Sequence, residues 1–210
     1  SQLFRAFIAI MAMVGLTYRV TGDAARADGQ PVNAPNDAGV GTLVIANHPT
    51  LIDVVFLLAM FPGAVSVVKR NHWFNPFTMA TVRMARYIPN HDTTQLLGEA
   101  EARLRAGECL VLFPEGTRTV PGTPARFRRG AALAAVRAGA DVLPVHITCE
   151  PLILDKHSPW YQVPVRRPHL AFDLLERIPA KDYGALGDSE RAQSQALTQK
   201  VQSRLAAGVK

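Results

Sequence analysis

Two cysteines in 210 residues, Cys109 and Cys149, are too few for a disulfide framework, and no C-x-x-C pair occurs. Both sit in apolar, strand-like runs and read as buried free thiols in a reducing setting. Long apolar runs are missing too: nothing approaches the roughly 18 residues of a membrane-spanning helix. Aromatic residues make up only 7% of the chain, and none alternates with the arginines of 118–129. That argues against a stacking platform for nucleic acid. No G-x-S-x-G run is present, so the strained serine turn of an α/β hydrolase is excluded. The six histidines show no H-E-x-x-H or similar ligand spacing, so no metal is expected.

What is present is a globular composition, 48% hydrophobic and 19% charged, with a formal net charge of +6. The charge is uneven. Residues 63–130 hold ten Lys and Arg against five Asp and Glu, and Arg118, Arg126, Arg128 and Arg129 fall in a stretch with no acid. A basic middle third fits an anionic partner: lipid headgroups, a phosphorylated substrate or an acidic carrier protein. A solvated basic face is the plainer reading of the same charges.

Along the chain, residues 1–20 read as an apolar helix that associates with a membrane surface, because Phe4, Phe7, Ile8, Ile10, Met11, Met13 and Val14 cover most of its circumference. Residues 21–41, rich in Gly, Asp, Asn and Pro, read as a loop. The remainder, 42–210, reads as one domain in which strands alternate with helices. Strands are expected at Thr42–Ala46, Ala64–Lys69, Cys109–Phe113, Val142–Ile147 and His169–Leu175. Helices are expected at Leu51–Phe61, Pro76–Arg86, Thr94–Ala106, Arg129–Ala138 and Asp188–Ala207. This alternation predicts an α/β layered domain with a largely parallel or mixed sheet flanked by helices. Ligands of such folds bind beyond the carboxyl ends of the strands.

Two loops at strand ends carry chemistry. In Asn47-His48-Pro49-Thr50-Leu51-Ile52-Asp53 an imidazole follows a buried strand and a carboxylate follows five residues later. A carboxylate beside imidazole sets its tautomer and leaves the other nitrogen free to accept a proton from an alcohol. Thr50 and Asp53 also fit a capping box, which accounts for both without catalysis but leaves His48 unexplained. In Phe113-Pro114-Glu115-Gly116-Thr117-Arg118-Thr119 a strand ends in a carboxylate, a glycine, a hydroxyl and a guanidinium. Glu115 can accept from hydroxyls, Gly116 admits a ligand to the backbone, and Arg118 can grip a phosphate. A turn in which Arg118 pairs with Glu115 is the bland alternative.

Together the two runs resemble the signature blocks of the lysophospholipid acyltransferase family, N-H-x-S-x-x-D and F-P-E-G-T-R-S, with Thr50 and Thr119 in place of serines. Val142-Leu143-Pro144-Val145 resembles a later apolar block of that family. The resemblance implies an O-acyltransferase. His48 would be the general base with Asp53 as its partner, and Glu115, Gly116, Thr117 and Arg118 would bind the acceptor. Acyl-CoA or acyl-carrier protein would be the donor, a lysophospholipid or related glycerolipid the acceptor, and the cytoplasmic face of the inner membrane the workplace. No cofactor beyond that co-substrate is implied. One departure stands out: family members acting on glycerol phosphates commonly carry an arginine where this chain has Asn90, with Lys69, Arg70 and His91 nearby. A non-glycerophosphate acceptor, or a catalytically silent lipid-binding relative, is the alternative. The stretch from Cys149 to Tyr161 resembles, more weakly, bacterial members associated with fatty-acid or aryl-polyene synthesis.

Overall fold

The structure, a computed structural model, describes residues 2–13, 15–22, 38–69, 87–90, 92–120, 122–123, 126–156, 159, 162 and 164–207. Within them lie helices α1 (Gln2–Met13), α2 (Asp53–Met60), α3 (Thr93–Arg105), α4 (Gly130–Ala138) and α5 (Glu190–Ala207). The strands are β1 (Thr17–Thr21), β2 (Thr42–Ala46), β3 (Val65–Lys69), β4 (Ile88–Asn90), β5 (Leu110–Leu112), β6 (Asp141–Glu150) and β7 (His169–Leu174). They form one sheet in the order β1-β7-β6-β2-β5-β3-β4. Every pairing is parallel except β6 with β7, so the sheet is mixed.

The β2 strand is central and wholly buried, which is why its sequence is an unbroken apolar run rather than an alternation. Val44 and Ala46 face a core built with Phe56, Leu57 and Phe172. Leu43 and Ile45 face the other core, where the alanines of α4 and Leu197, Val201 and Leu205 of α5 pack. Small residues on α4 let that helix sit close to its neighbours. Asp92 caps α3 by accepting from the amides of Thr94 and Gln95 at 2.6 and 3.1 Å. Gly139, in the left-handed conformation, ends α4.

The N-terminal segment departs from the expectation of one helix through residue 20. The α1 helix stops at Met13, Gly15 turns the chain at φ +100, and Thr17–Thr21 joins the sheet edge beside β7. β-Branched and aromatic residues at Thr17, Tyr18, Val20 and Thr21 suit a half-exposed edge strand, and that tertiary pairing overrode the apolar pattern. The helix expected from Leu51 begins two residues later, at Asp53. Strand β4 and a 3-10 helix at Ala180–Leu186 were not foreseen; β4 is only three residues long and contains Pro89, tolerable because it is an edge. The expected helix at 76–86 and most of the expected loop at 21–41 lie outside the described residues. Among the described residues no helix is long and apolar enough to cross a membrane.

At the start of β2 two backbones cross closely. Gly41 donates its amide to the carbonyl of Leu104 at 2.7 Å, and a Cβ at Gly41 would lie 1.8 Å from the carbonyl oxygen of Glu108. Gly41→Ala is therefore expected to destabilise the fold by about 1–3 kcal/mol through overpacking. A thermal melt should show the loss; a melting temperature equal to that of the parent would mean the crossing relaxes without cost.

Candidate active site

The centre of the site is a buried carboxylate. Asp53 opens α2 with its side chain fully shielded from solvent, and its oxygens accept from three donors. The amide of Thr50 reaches Oδ2 at 2.7 Å, and the Thr50 hydroxyl reaches Oδ1 at 2.5 Å. His48 Nδ1 lies 2.9 Å from Oδ2. An ionised carboxylate can only accept, so Nδ1 must carry the proton in this bond. Nε2 is left as the basic nitrogen. The His48 ring stacks on Phe113 with centroids 4.1 Å apart, which fixes its plane. Its side chain is 18% exposed, enough for Nε2 to meet a substrate while Nδ1 faces the interior.

The capping-box expectation is met only in part: the Thr50 amide donates to Asp53, but the Thr50 hydroxyl donates to the carboxylate instead of capping a helix amide, and α2 starts at Asp53 after Ile52 with no side-chain cap. The same carboxylate also meets His48.

The second loop wraps the first. Thr119 donates its amide to the carbonyl of His48 at 2.7 Å, and its hydroxyl oxygen accepts from the amide of His48 at 2.9 Å. The same hydroxyl donates to Glu115 Oε1 at 2.7 Å. Gly116, at φ +68, and Thr117 are exposed at the apex, beside the histidine loop. Desolvation pushes the Glu115 carboxyl above its ordinary range, against the opposing bond from Thr119. Arg118 turns away from Glu115: its Nη1 donates to the carbonyls of Leu154, at 2.9 Å, and Asp155. The amide of Leu51 also donates to Leu154, at 3.1 Å. A strap at 151–155 is thereby tied to both signature loops.

Several of these partners escaped sequence reasoning. Asn47 locks β2 to β6 by bonding both the carbonyl and the amide of Ile147, at 2.8 and 2.7 Å. Thr119 and the strap became visible only in three dimensions, although a hydroxyl at the last position of the second block was the available signal for Thr119. Burial pushes the thiol of Cys149 up to about 11 and that of Cys109 up to about 12, as expected of inert interior cysteines. Asn90 ends β4, level with Lys69 of β3; their side chains, and Arg70 and His91, lie outside what is described.

The acyltransferase family model matches residues 25–148, more than half of the sequence, and the chain belongs to that family. The 1-acyl-sn-glycerol-3-phosphate acyltransferase of Pseudomonas aeruginosa is 29% identical over 109 residues, covering 49% of this chain and 42% of the relative. The enzyme of that name from Cocos nucifera is 27% identical over 123 residues, 55% of this chain and 40% of the relative. That of Borreliella burgdorferi is 26% identical over 150 residues, 68% and 56% respectively. The chain therefore spans roughly half the length of these relatives. The fold matches the crystal structure of the 1-acyl-sn-glycerophosphate (LPA) acyltransferase PlsC of Thermotoga maritima with a TM-score of 0.67. That match covers 99% of this chain and 77% of the other at 20% identity, a likeness of fold.

Glu115 supplies a test of the site's electrostatics. Its folded pKa is raised, so the native state holds the proton more tightly than the unfolded chain. Stability then falls as pH rises from the unfolded value, about 4.3, through the folded one. Glu115→Gln removes that penalty and keeps an oxygen to accept from Thr119. Its melting temperature is expected to equal the parent's below about pH 4 and to exceed it at pH 7. A difference that stayed constant with pH would show that burial does not raise the carboxyl's pKa.

Proposed function

We propose that this chain transfers a fatty acyl group from the thioester of acyl-CoA or acyl-carrier protein to the hydroxyl of a lysophospholipid or related glycerolipid. The observation that carries the reading is the 2.9 Å contact of His48 Nδ1 with a fully buried Asp53. In the reaction, Nε2 of His48 takes the proton of the acceptor hydroxyl as its oxygen attacks the thioester carbonyl. Asp53 stabilises the imidazolium so formed. As the tetrahedral centre collapses, the C–S bond breaks and the sulfur leaves as thiolate, which recovers the proton from His48. The thioester is already activated, so positioning and one proton transfer suffice. Glu115, Gly116 and Thr117 line the acceptor side of the dyad, and Arg118 belongs to the same loop. Asn90, in place of the family's arginine, favours a second reading in which the acceptor is not a simple glycerol phosphate.

The reading places the work at a membrane surface, on the cytoplasmic face of the inner membrane. Phe7, Ile10 and Met13, spaced three residues apart on α1, are 37%, 59% and 86% exposed. The opposite side of that helix is anchored, with Ile8 buried and Phe4 and Met11 packed on the core. An apolar stripe on a helix of twelve residues is the shape of an interfacial element rather than a span.

His48→Ala is expected to lower kcat by roughly 10²–10⁴-fold with the circular dichroism spectrum unchanged. Asp53→Asn is expected to lose both rate and thermal stability, since the Thr50 donors and the imidazole all depend on it. Turnover at the parent rate in His48→Ala would remove the base from the mechanism.

Replacing Ile10 and Met13 together with glutamate is expected to reduce binding to anionic liposomes by more than about tenfold, on the scale of two apolar side chains kept from burial. Both residues are exposed, so the melting temperature should hold. Equal flotation of parent and variant would show that α1 does not meet the bilayer.

A further inference from the structure

The second signature loop has a cation beside it that belongs to neither block. Arg128 lies in the segment leading into α4, and its amide donates to the carbonyl of Pro114 at 2.9 Å, which pins it to the loop's base. Its guanidinium lies over Gly116. A Cβ at Gly116 would sit 3.4 Å from both Cζ and Nε of Arg128, and 3.6 Å from Nη2. The neighbouring Phe127 packs into the core under α4, so the segment is held from beneath. Arg128 itself is exposed, and among the described residues its guanidinium has neither a hydrogen-bond nor an ion-pair partner. Gly116 and Thr117, next to it, are exposed as well.

Arg118 is the opposite case. It is half-buried, and the two hydrogens of Nη1 go to the carbonyls of Leu154 and Asp155. One of the two end nitrogens needed for an end-on bidentate grip on phosphate is thus already spent on the strap.

We propose that Arg128 is the cation that receives the anionic headgroup of the acceptor, a phosphate monoester, while Arg118 is a positioning residue that holds the strap against the two loops. The proposal rests on the acyl-transfer reading for its choice of acceptor. Gly116 lies at ordinary contact distance from the guanidinium, and its φ of +68 is the conformation that favours glycine there. The proposal also places a phosphate ligand on this chain without the arginine that Asn90 replaces.

The experiment compares Arg128→Gln, Arg128→Lys, Arg126→Gln and Arg118→Lys in the full chain. The acceptors are 1-acyl-glycerol 3-phosphate and its uncharged counterpart, monoacylglycerol. Arg128→Gln is expected to raise KM for the phosphorylated acceptor about 10- to 100-fold, the scale of a charge-assisted hydrogen bond, and to leave the donor KM alone. Arg128→Lys should recover part of the loss, and Arg126→Gln, which removes an equally exposed charge not laid on Gly116, should show none of it. A rise in acyl-CoA KM instead would assign Arg128 to the phosphates of the donor and overturn the proposal. Equal losses in Arg126→Gln and Arg128→Gln would reduce it to general basic charge and overturn it too, as would a phosphate-selective rise in Arg118→Lys with none in Arg128→Gln.

A second measurement separates this from failure of the acyl-transfer reading. Phosphorus NMR of glycerol 3-phosphate should broaden with the parent protein and not with Arg128→Gln. Inorganic phosphate is run beside it, to tell the headgroup from the bare anion: stronger broadening of glycerol 3-phosphate supports a headgroup site. Binding that depends on Arg128 in a chain with no turnover would sustain the site and sink the enzyme. Turnover with Arg128-independent binding and KM would do the reverse.

Discussion

A carboxylate removed from water organises the site. Asp53 has no exposed surface, and an ionised group so buried is tolerable only when its oxygens are saturated. Thr50 supplies two donors and His48 the third. Each of these fixes something else. The Thr50 contacts set the turn by which the chain leaves β2 and enters α2. The His48 contact sets the tautomer and the ring direction. Remove the carboxylate and the loop has no reason to keep its shape.

Around that centre the stitching is done largely by backbone and by short side chains. Thr119 is bonded twice to the main chain of His48 and donates a hydrogen bond from its hydroxyl to Glu115. Asn47 bridges β2 to β6, and Leu154 accepts from Leu51 and Arg118 together. Loops held in this way are preorganised: they need little rearrangement when a substrate arrives. Long, rotamer-rich side chains are left at the rim, where Arg126, Arg128 and Arg129 stand exposed.

Much of this was legible in the chain alone. Strand β2 matched its expected bounds residue for residue because a central parallel strand needs apolar groups on both faces. The helices expected at Thr94–Ala106 and Arg129–Ala138 lie within one residue of those observed, Thr93–Arg105 and Gly130–Ala138. His48 beside Asp53 was foreseen from spacing, and a five-residue separation across a turn permits the contact observed. What stayed hidden was tertiary. Thr17–Thr21 became a strand only because β7, about 150 positions away in the chain, offers it a partner. Arg118 reads as a phosphate ligand from its block, yet it donates to carbonyls that no spacing rule links to it. Three-residue β4 carries too few residues to show any period.

The anchoring of α1 has a mechanical side. Its inner face packs on α2, the helix whose first residue is Asp53, and its C-terminal end runs within a few residues into β1 of the sheet. Only residues 14–16 separate the helix from the strand. A bilayer received on Phe7, Ile10 and Met13 would therefore set the height and tilt of the carboxylate itself, as a keel sets the attitude of a hull. The distance from the lipid surface to His48 would be a dimension of the fold, and only acceptors whose hydroxyl stands at that height would come within reach.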